Sequence, residues 1–98
     1  MDAALLSYIL RAKNRREILL LVAKERLTPS QIMKRTGMYE SHISRALRQL
    51  IEKKLIICEN PAERRFRFYS ISGTGLKVAT EVGKILNEIR KKPKNLNG

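Results

Sequence analysis

Residues 40–53 read Glu40-Ser41-His42-Ile43-Ser44-Arg45-Ala46-Leu47-Arg48-Gln49-Leu50-Ile51-Glu52-Lys53, and this stretch decides the fold. Ile43, Leu47, Leu50 and Ile51 recur at i, i+4, i+7 and i+8, the spacing of an apolar helix stripe that faces a core. Ser41, Arg45, Arg48 and Glu52 lie on the opposite side. Ser44 flanks that polar stripe on one edge, and Gln49 and His42 flank it on the other. The outward face therefore offers short polar groups and two arginines. Groups of that size and chemistry reach base edges in a duplex major groove, which admits one α-helix. The plainer reading is a solvated helix face, with Glu52 pairing with Arg48.

Upstream, Thr28-Pro29-Ser30-Gln31 has the form of a helix start. Thr28 suits the N-cap, Pro29 the first helical position, and Gln31 the return bond. Thr36-Gly37 stops this short helix with a residue free to take positive φ, and the next helix resumes after Met38-Tyr39 and runs to about Lys54. Further back, Asn14-Arg15-Arg16-Glu17 also has the capping-box form, so a helix is expected from Asn14 to near Lys24–Arg26. Its apolar run Ile18–Ala23 implies burial on more than one side. Residues 2–11 read as a further short helix.

Downstream the period changes. Leu55-Ile56-Ile57-Cys58 is a β-rich run, Asn60-Pro61-Ala62-Glu63 a turn, and Arg65-Phe66-Arg67-Phe68-Tyr69-Ser70-Ile71 a second strand that begins by alternating basic and aromatic residues. Two strands about a turn predict a hairpin. Ser72 caps a last helix over about 73–92, with Val78, Val82, Ile85 and Ile89 on one stripe and Ala79 and Leu86 beside it. The order is four helices, a hairpin and a helix, a mainly α fold with a small β-hairpin. One domain is expected over residues 1–92, and a disordered tail over 93–98.

Composition narrows the function. Ninety-eight residues allow one domain with a thin core. Lysine and arginine number 21 against 9 acids, a net charge of +12, spread along the whole chain. That balance implies a polyanionic partner, nucleic acid first and an anionic membrane surface second. The six-residue run Ile18–Ala23 is the longest apolar run, far below the roughly 20 residues that span a bilayer. The N-terminal apolar patch follows an acid and lacks a small-residue cleavage site, so it does not read as a signal peptide. A single cysteine, Cys58, makes no internal disulfide, and a cytoplasmic location is the expectation. Cys58 itself reads as a buried strand residue in preference to a redox sensor. One histidine and one cysteine supply no metal constellation. No cofactor, sensor domain or small-molecule effector is evident. There is no Gly-rich phosphate loop, no paired catalytic carboxylates and no nucleophile–histidine arrangement, so an enzyme is not expected.

Taken in order, Leu27-Thr28-Pro29-Ser30-Gln31-Ile32, the turn Thr36-Gly37-Met38, the segment Ser41–Leu50, the exit Lys53-Lys54-Leu55-Ile56 and Tyr69-Ser70-Ile71-Ser72 before Gly75 resemble a winged helix-turn-helix regulator. The resemblance is to the arsenic-repressor-like and multiple-antibiotic-resistance-like kind, especially the small archaeal ones. It covers about residues 14–90. Two positions depart from the pattern: Tyr39 stands where Ser or Thr usually caps the recognition helix, and Met33 where a small residue usually separates the two motif helices.

The resemblance implies that the helix over residues 40–53 enters a major groove, making Ser41, His42, Ser44, Arg45 and Arg48 the candidates for base-edge contacts. Thr28, Ser30 and Tyr39 become candidates for the DNA backbone, plain capping being the competing role for Thr28. Lys13, Arg15 and Arg16 are further phosphate candidates. Arg64, Arg65 and Arg67 are the wing candidates, against the alternative that they keep a sheet edge soluble. Phe66 and Phe68 could stack on single-stranded bases or cover the core. The first and last helices carry more apolar surface than a small monomer needs. They resemble the family's dimerisation elements, which makes Leu5, Leu6, Ile9, Val78, Val82, Ile85 and Ile89 the candidates for a homodimer contact. The implied function is sequence-specific binding of double-stranded DNA by a transcriptional repressor. The alternative is a winged-helix module for RNA binding or protein assembly in a transcription or translation complex.

Overall fold

The computed structural model describes residues 2–91; the expected tail over 93–98 lies outside them. The elements are α1 (Ala3–Leu10), α2 (Lys13–Lys24), α3 (Pro29–Thr36), α4 (Glu40–Glu52), β1 (Ile56–Cys58), β2 (Tyr69–Ile71) and α5 (Gly73–Lys91). The expected order of four helices, a hairpin and a helix is the observed one.

Helix α2 is the centre of the fold. Ile18, Leu19 and Val22 are buried along it, and it packs against α1, α3, α4, α5 and β2. Against it lies the inner face of α4, whose Ile43, Ala46, Leu47 and Leu50 are buried. The expected stripe differs at its end. Ile51 is 38% exposed, at the edge of the buried face, whereas Ala46 is buried between Ile43 and Leu50. Val78, Ala79 and Val82 of α5 complete the cluster with Ile9, Ile32, Leu55, Ile56 and Tyr69.

The short helix α3 is built as its sequence demands. Thr28 Oγ1 accepts the Gln31 amide at 3.2 Å, and the Gln31 side chain accepts the Thr28 amide at 2.9 Å. Gly37 ends it at φ 74°, its amide donating to Met33 O, in the left-handed region that costs other residues about 1–2 kcal/mol. Arg35 returns to Glu25 at 2.7 Å. That hydrogen bond, and then the charge of the guanidinium, hold the Glu25 carboxyl below its ordinary range. Both groups are exposed, so the small contribution is present above the ordinary carboxylate pKa and fades as pH falls through the lowered one.

Helix α2 departs from expectation at its start. It begins at Lys13, one residue early, with extended Ala12 as N-cap and no side-chain cap, so the Asn14–Glu17 capping box does not form. The reason is tertiary. Arg15 donates to Tyr8 O (3.1 and 2.8 Å), and Arg16 donates to Leu10 O (2.6 Å). These guanidinium groups satisfy the open carbonyls at the end of α1 and draw the start of α2 against it.

The hairpin is antiparallel, with Ile56 opposite Ile71, Ile57 opposite Ser70 and Cys58 opposite Tyr69. Cys58, expected to be buried, is half-buried at the end of the first strand. Leu27 adds a single bridge on the other edge of Tyr69, through amide bonds of 3.0 and 2.8 Å. The second strand is shorter than expected, Tyr69–Ile71 in place of 65–71. The basic-aromatic alternation before it is a loop, broken by a left-handed Phe66 at φ 56°.

The seam between hairpin and α5 is the tightest contact. Ser72 Oγ contacts Lys54 O (2.7 Å) and Leu55 O (3.0 Å) and accepts the Gly75 amide at 2.9 Å. A Cβ at Gly75 would stand 1.9 Å from Leu55 O. Gly75→Ala should therefore lower stability by about 1–3 kcal/mol or more through overpacking. Gly83→Ala, where nothing lies within 4 Å, should be neutral or stabilising by up to about 1 kcal/mol. Urea midpoints of the two variants check both outcomes.

Candidate nucleic-acid interface

The geometry of the candidate site starts at the turn Gly37-Met38-Tyr39. Thr36 Oγ1 donates to Ile32 O at 2.8 Å and accepts the Met38 amide at 3.1 Å, which closes the turn from inside. Tyr39 is the N-cap of α4 and gives no side-chain cap. Its ring is 76% exposed and meets His42 edge-on, with centroids 5.6 Å apart. The departure at Tyr39 thus leaves the first amides of α4 uncapped by a side chain.

On α4, Ser41, His42, Ser44, Arg45 and Arg48 are all exposed. No side-chain hydrogen bond or ion pair among the described residues engages them, and the considered Arg48–Glu52 pair is absent there; the ion pairs present are Arg26–Glu59 and Arg35–Glu25. Two shallow grooves border this face. One is lined by Lys13, Asn14 and Arg15 of α2 with His42, Arg45 and Gln49. The other runs between α3–α4 and the wing loop and is lined by Ser30, Met33, Glu40, Ser44, Arg64, Arg65, Phe66 and Arg67. Glu40 is the one carboxylate on it. Met33 is partly exposed and faces this groove, so it does not wedge the two motif helices apart.

Several candidates have other work. Thr28 is 7% exposed and its hydroxyl is the α3 cap, the capping role weighed for it, at the edge of the second groove. Arg67 bonds Glu63 O and Pro61 O within the wing, whereas Arg64 and Arg65 have no hydrogen-bond or ion-pair partner among the described residues. Arg16 is held by Leu10 O. Arg15 lies 3.7 Å over the Tyr8 ring and donates to Gln49 Oε1 at 3.1 Å. It links α1, α2 and α4, a role that spacing in the sequence did not signal. Phe68 is half-buried under Arg26 (3.9 Å) at the wing base, whereas Phe66 is 76% exposed, so neither belongs to the core.

The apolar candidates divide in the same way. Ile9, Val78 and Val82 are 0% exposed within the chain. A side chain with no accessible area has none to give a partner, so these three are core residues and not dimer contacts. Leu5, Leu6 and Ile85 are half-buried, and Ile89 is 65% exposed.

Residues 12–57, from the start of α2 through the first wing strand, match the family model of the bacterial regulatory proteins of the arsR family. The fold is a winged helix-turn-helix. It is similar to an apo form of ZitR from Lactococcus lactis (21% identity, TM-score 0.76, covering 88% of this chain and 66% of that one). It is also similar to the adhesin competence repressor AdcR of Streptococcus pyogenes (16% identity, TM-score 0.70, 81% and 60%). ZitR in complex with DNA matches at 23% identity and TM-score 0.66, over 80% of this chain and 57% of that one. The winged helix-turn-helix chain therefore spans two thirds or less of these proteins' length. No curated protein matches it.

Two arginines of this winged helix separate structure from interface. Arg15→Ala should lose about 1–3 kcal/mol of stability, because it removes the donor to Tyr8 O and Gln49. Arg45→Ala, with no partner in the fold, should stay within about 0.5 kcal/mol of wild type. Thermal unfolding of both variants checks the contrast.

Proposed function

We propose that this chain binds double-stranded DNA sequence-specifically as a transcriptional regulator, acting as a repressor and as a homodimer in the cytoplasm. The observation that carries this reading is the state of the outer α4 face: Arg45 and Arg48, with Ser41 and Ser44, are exposed and bound to nothing within the described residues. Free cations flank that face on both sides, Lys13 on one groove and Arg64 and Arg65 on the other. A net charge of +12 supports a polyanionic partner.

In this reading α4 lies in the major groove. Arg45 and Arg48 read guanine edges bidentately, and His42, Ser41 and Ser44 take neighbouring bases or near phosphates. Ser30 and Tyr39 contact the backbone at the two helix starts, and Arg64 and Arg65 reach the minor groove or the adjoining backbone. That ZitR is known in complex with DNA is in keeping with this mode. The half-covered strip Leu5, Leu6, Ile85 and Ile89 on α1 and α5 is the surface for a second copy. A two-fold pair would set two α4 helices about one DNA turn apart on a pseudo-palindromic site. Repression is the simplest action of a compact binder that covers a promoter.

The test is a gel shift with duplex DNA, duplex RNA and single strands over a salt series, using sites selected from a random pool. Duplex DNA should bind tightest, with log K falling by about 0.9 per phosphate neutralised for each unit of log salt. Arg45→Ala and Arg48→Ala should each cost about 1–3 kcal/mol on the selected site and relax its sequence preference, whereas Arg65→Ala should weaken all duplexes alike. Tighter binding to RNA or single strands favours the RNA-module reading. Sedimentation equilibrium should show a dimer that Ile89→Asp dissociates without loss of fold. A concentration-independent monomer removes the homodimer from the reading.

A further inference from the structure

The wing tip carries a feature that phosphate contact does not explain. Phe66 is 76% exposed, whereas Phe68, two residues on, is half-buried under Arg26. No aromatic ring and no cation packs on the Phe66 ring among the described residues. An exposed aromatic at a loop tip gains nothing for the fold.

The backbone beneath it is held in an unfavourable conformation. Phe66 sits at φ 56°, in the left-handed region that a bulky side chain rarely adopts. Four contacts enforce this. The Asn60 side chain donates to Phe66 O at 3.0 Å and accepts the Phe68 amide at 2.8 Å. The Arg67 guanidinium bonds Pro61 O and Glu63 O. The loop is thus closed and braced from inside, and its conformation presents one apolar ring outward. Strain kept by surrounding bonds in this way marks a working position.

The surroundings of the ring define its occupant. Arg64 and Arg65 precede it, both exposed, and with Ser30 and Ser44 they line the groove that Phe66 shares with the start of α4. A flat apolar ring between cations complements a stack of flat apolar faces edged by phosphates. The loop carries two acids, Glu59, paired with Arg26, and Glu63, whose carbonyl takes part in the bracing; Glu40 is the one carboxylate on the shared groove.

We propose that Phe66 is a wedge that enters a base-pair step of duplex DNA from the minor-groove side, with Arg64 and Arg65 on the flanking phosphates. The inference rests on the DNA-binding reading above and adds a consequence to it: the bound duplex is unstacked and bent at the step facing the wing. Apolar side chains inserted between base steps kink a duplex in this manner. The step then favours flexible pyrimidine–purine sequences, giving a preference at positions that α4 does not touch.

The test uses the full chain and a selected duplex carrying 2-aminopurine at successive steps across the minor groove beside the α4 site. Wild type should raise fluorescence at one step and shift mobility in a circular-permutation bending assay. Phe66→Leu should keep both signals. Phe66→Ala and Phe66→Gly should lose both, weaken duplex binding about tenfold and leave the α4 sequence preference intact. Phe66→Gly should also unfold at the same or a higher temperature, because glycine takes positive φ freely. Unchanged fluorescence and bending in Phe66→Ala would overturn the wedge while leaving the DNA reading standing. A larger loss for single strands than for duplexes would replace it with single-strand stacking. Failure of wild type to bind any duplex would overturn the DNA reading itself.

Discussion

The inner face of α4 pressed against α2 is the constraint on which the rest of the molecule depends. Ile43, Ala46, Leu47 and Leu50 are buried there against the centre that Ile18, Leu19 and Val22 provide. Each fully buried large aliphatic side chain is worth about 1.5–3 kcal/mol, so this contact sets the rotation of α4 about its own axis. Once the apolar stripe is turned inward, the helical period leaves Ser41, Ser44, Arg45 and Arg48 no direction but outward. The chemistry of the exposed face is thus a by-product of core packing. A change in the buried stripe would re-aim the arginines without touching them.

The arginines of this basic chain fall into two groups that the sequence does not distinguish. Arg15, Arg16, Arg26, Arg35 and Arg67 are engaged with carbonyls, carboxylates or rings of the same chain. They close the α1–α2 corner, the base of the wing, the end of α3 and the wing loop. Arg45, Arg48, Arg64 and Arg65 have no such partner among the described residues. Part of the basic charge is therefore spent within the chain and not offered to a partner. These four lie along one face, from α4 across to the wing, whereas Arg90 stands apart on α5. The engaged ones hold that face in shape, Arg15 most directly, since its guanidinium spans from Tyr8 to Gln49 beside the α4 stripe.

The wing shows how a local rule can be overruled. Alternating basic and aromatic residues over 65–68 have the period of a strand, yet the ladder ends with the bond from the Glu59 amide to Phe68 O. The Asn60 side chain takes the Phe68 amide and the Phe66 carbonyl, groups that a longer strand would have used in pairing. A side chain eight residues away in sequence thereby converts a strand into a braced loop. The capping box expected at Asn14 failed for a similar reason, because bonds from Arg15 and Arg16 to the preceding helix decide where α2 begins.

Local chemistry in the sequence was enough to determine the helix α3 with its Thr28–Gln31 box and Gly37 stop, the two faces of α4, the existence of the hairpin and the Ser72 cap of α5. Each of these depends on residues within a few positions of one another, where backbone geometry leaves few choices. Ser41, His42, Ser44, Arg45 and Arg48 were legible as an outward set for the same reason. Tertiary structure alone decided that Arg67 is spent on the wing backbone and Arg15 on the junction of three helices. It also decided that Ile9, Val78 and Val82 belong to the core while Ile89 remains exposed, and that Phe66 stands out at the wing tip. These outcomes turn on contacts between distant segments, and the period of a stripe says that a residue is apolar on one face without saying what covers that face.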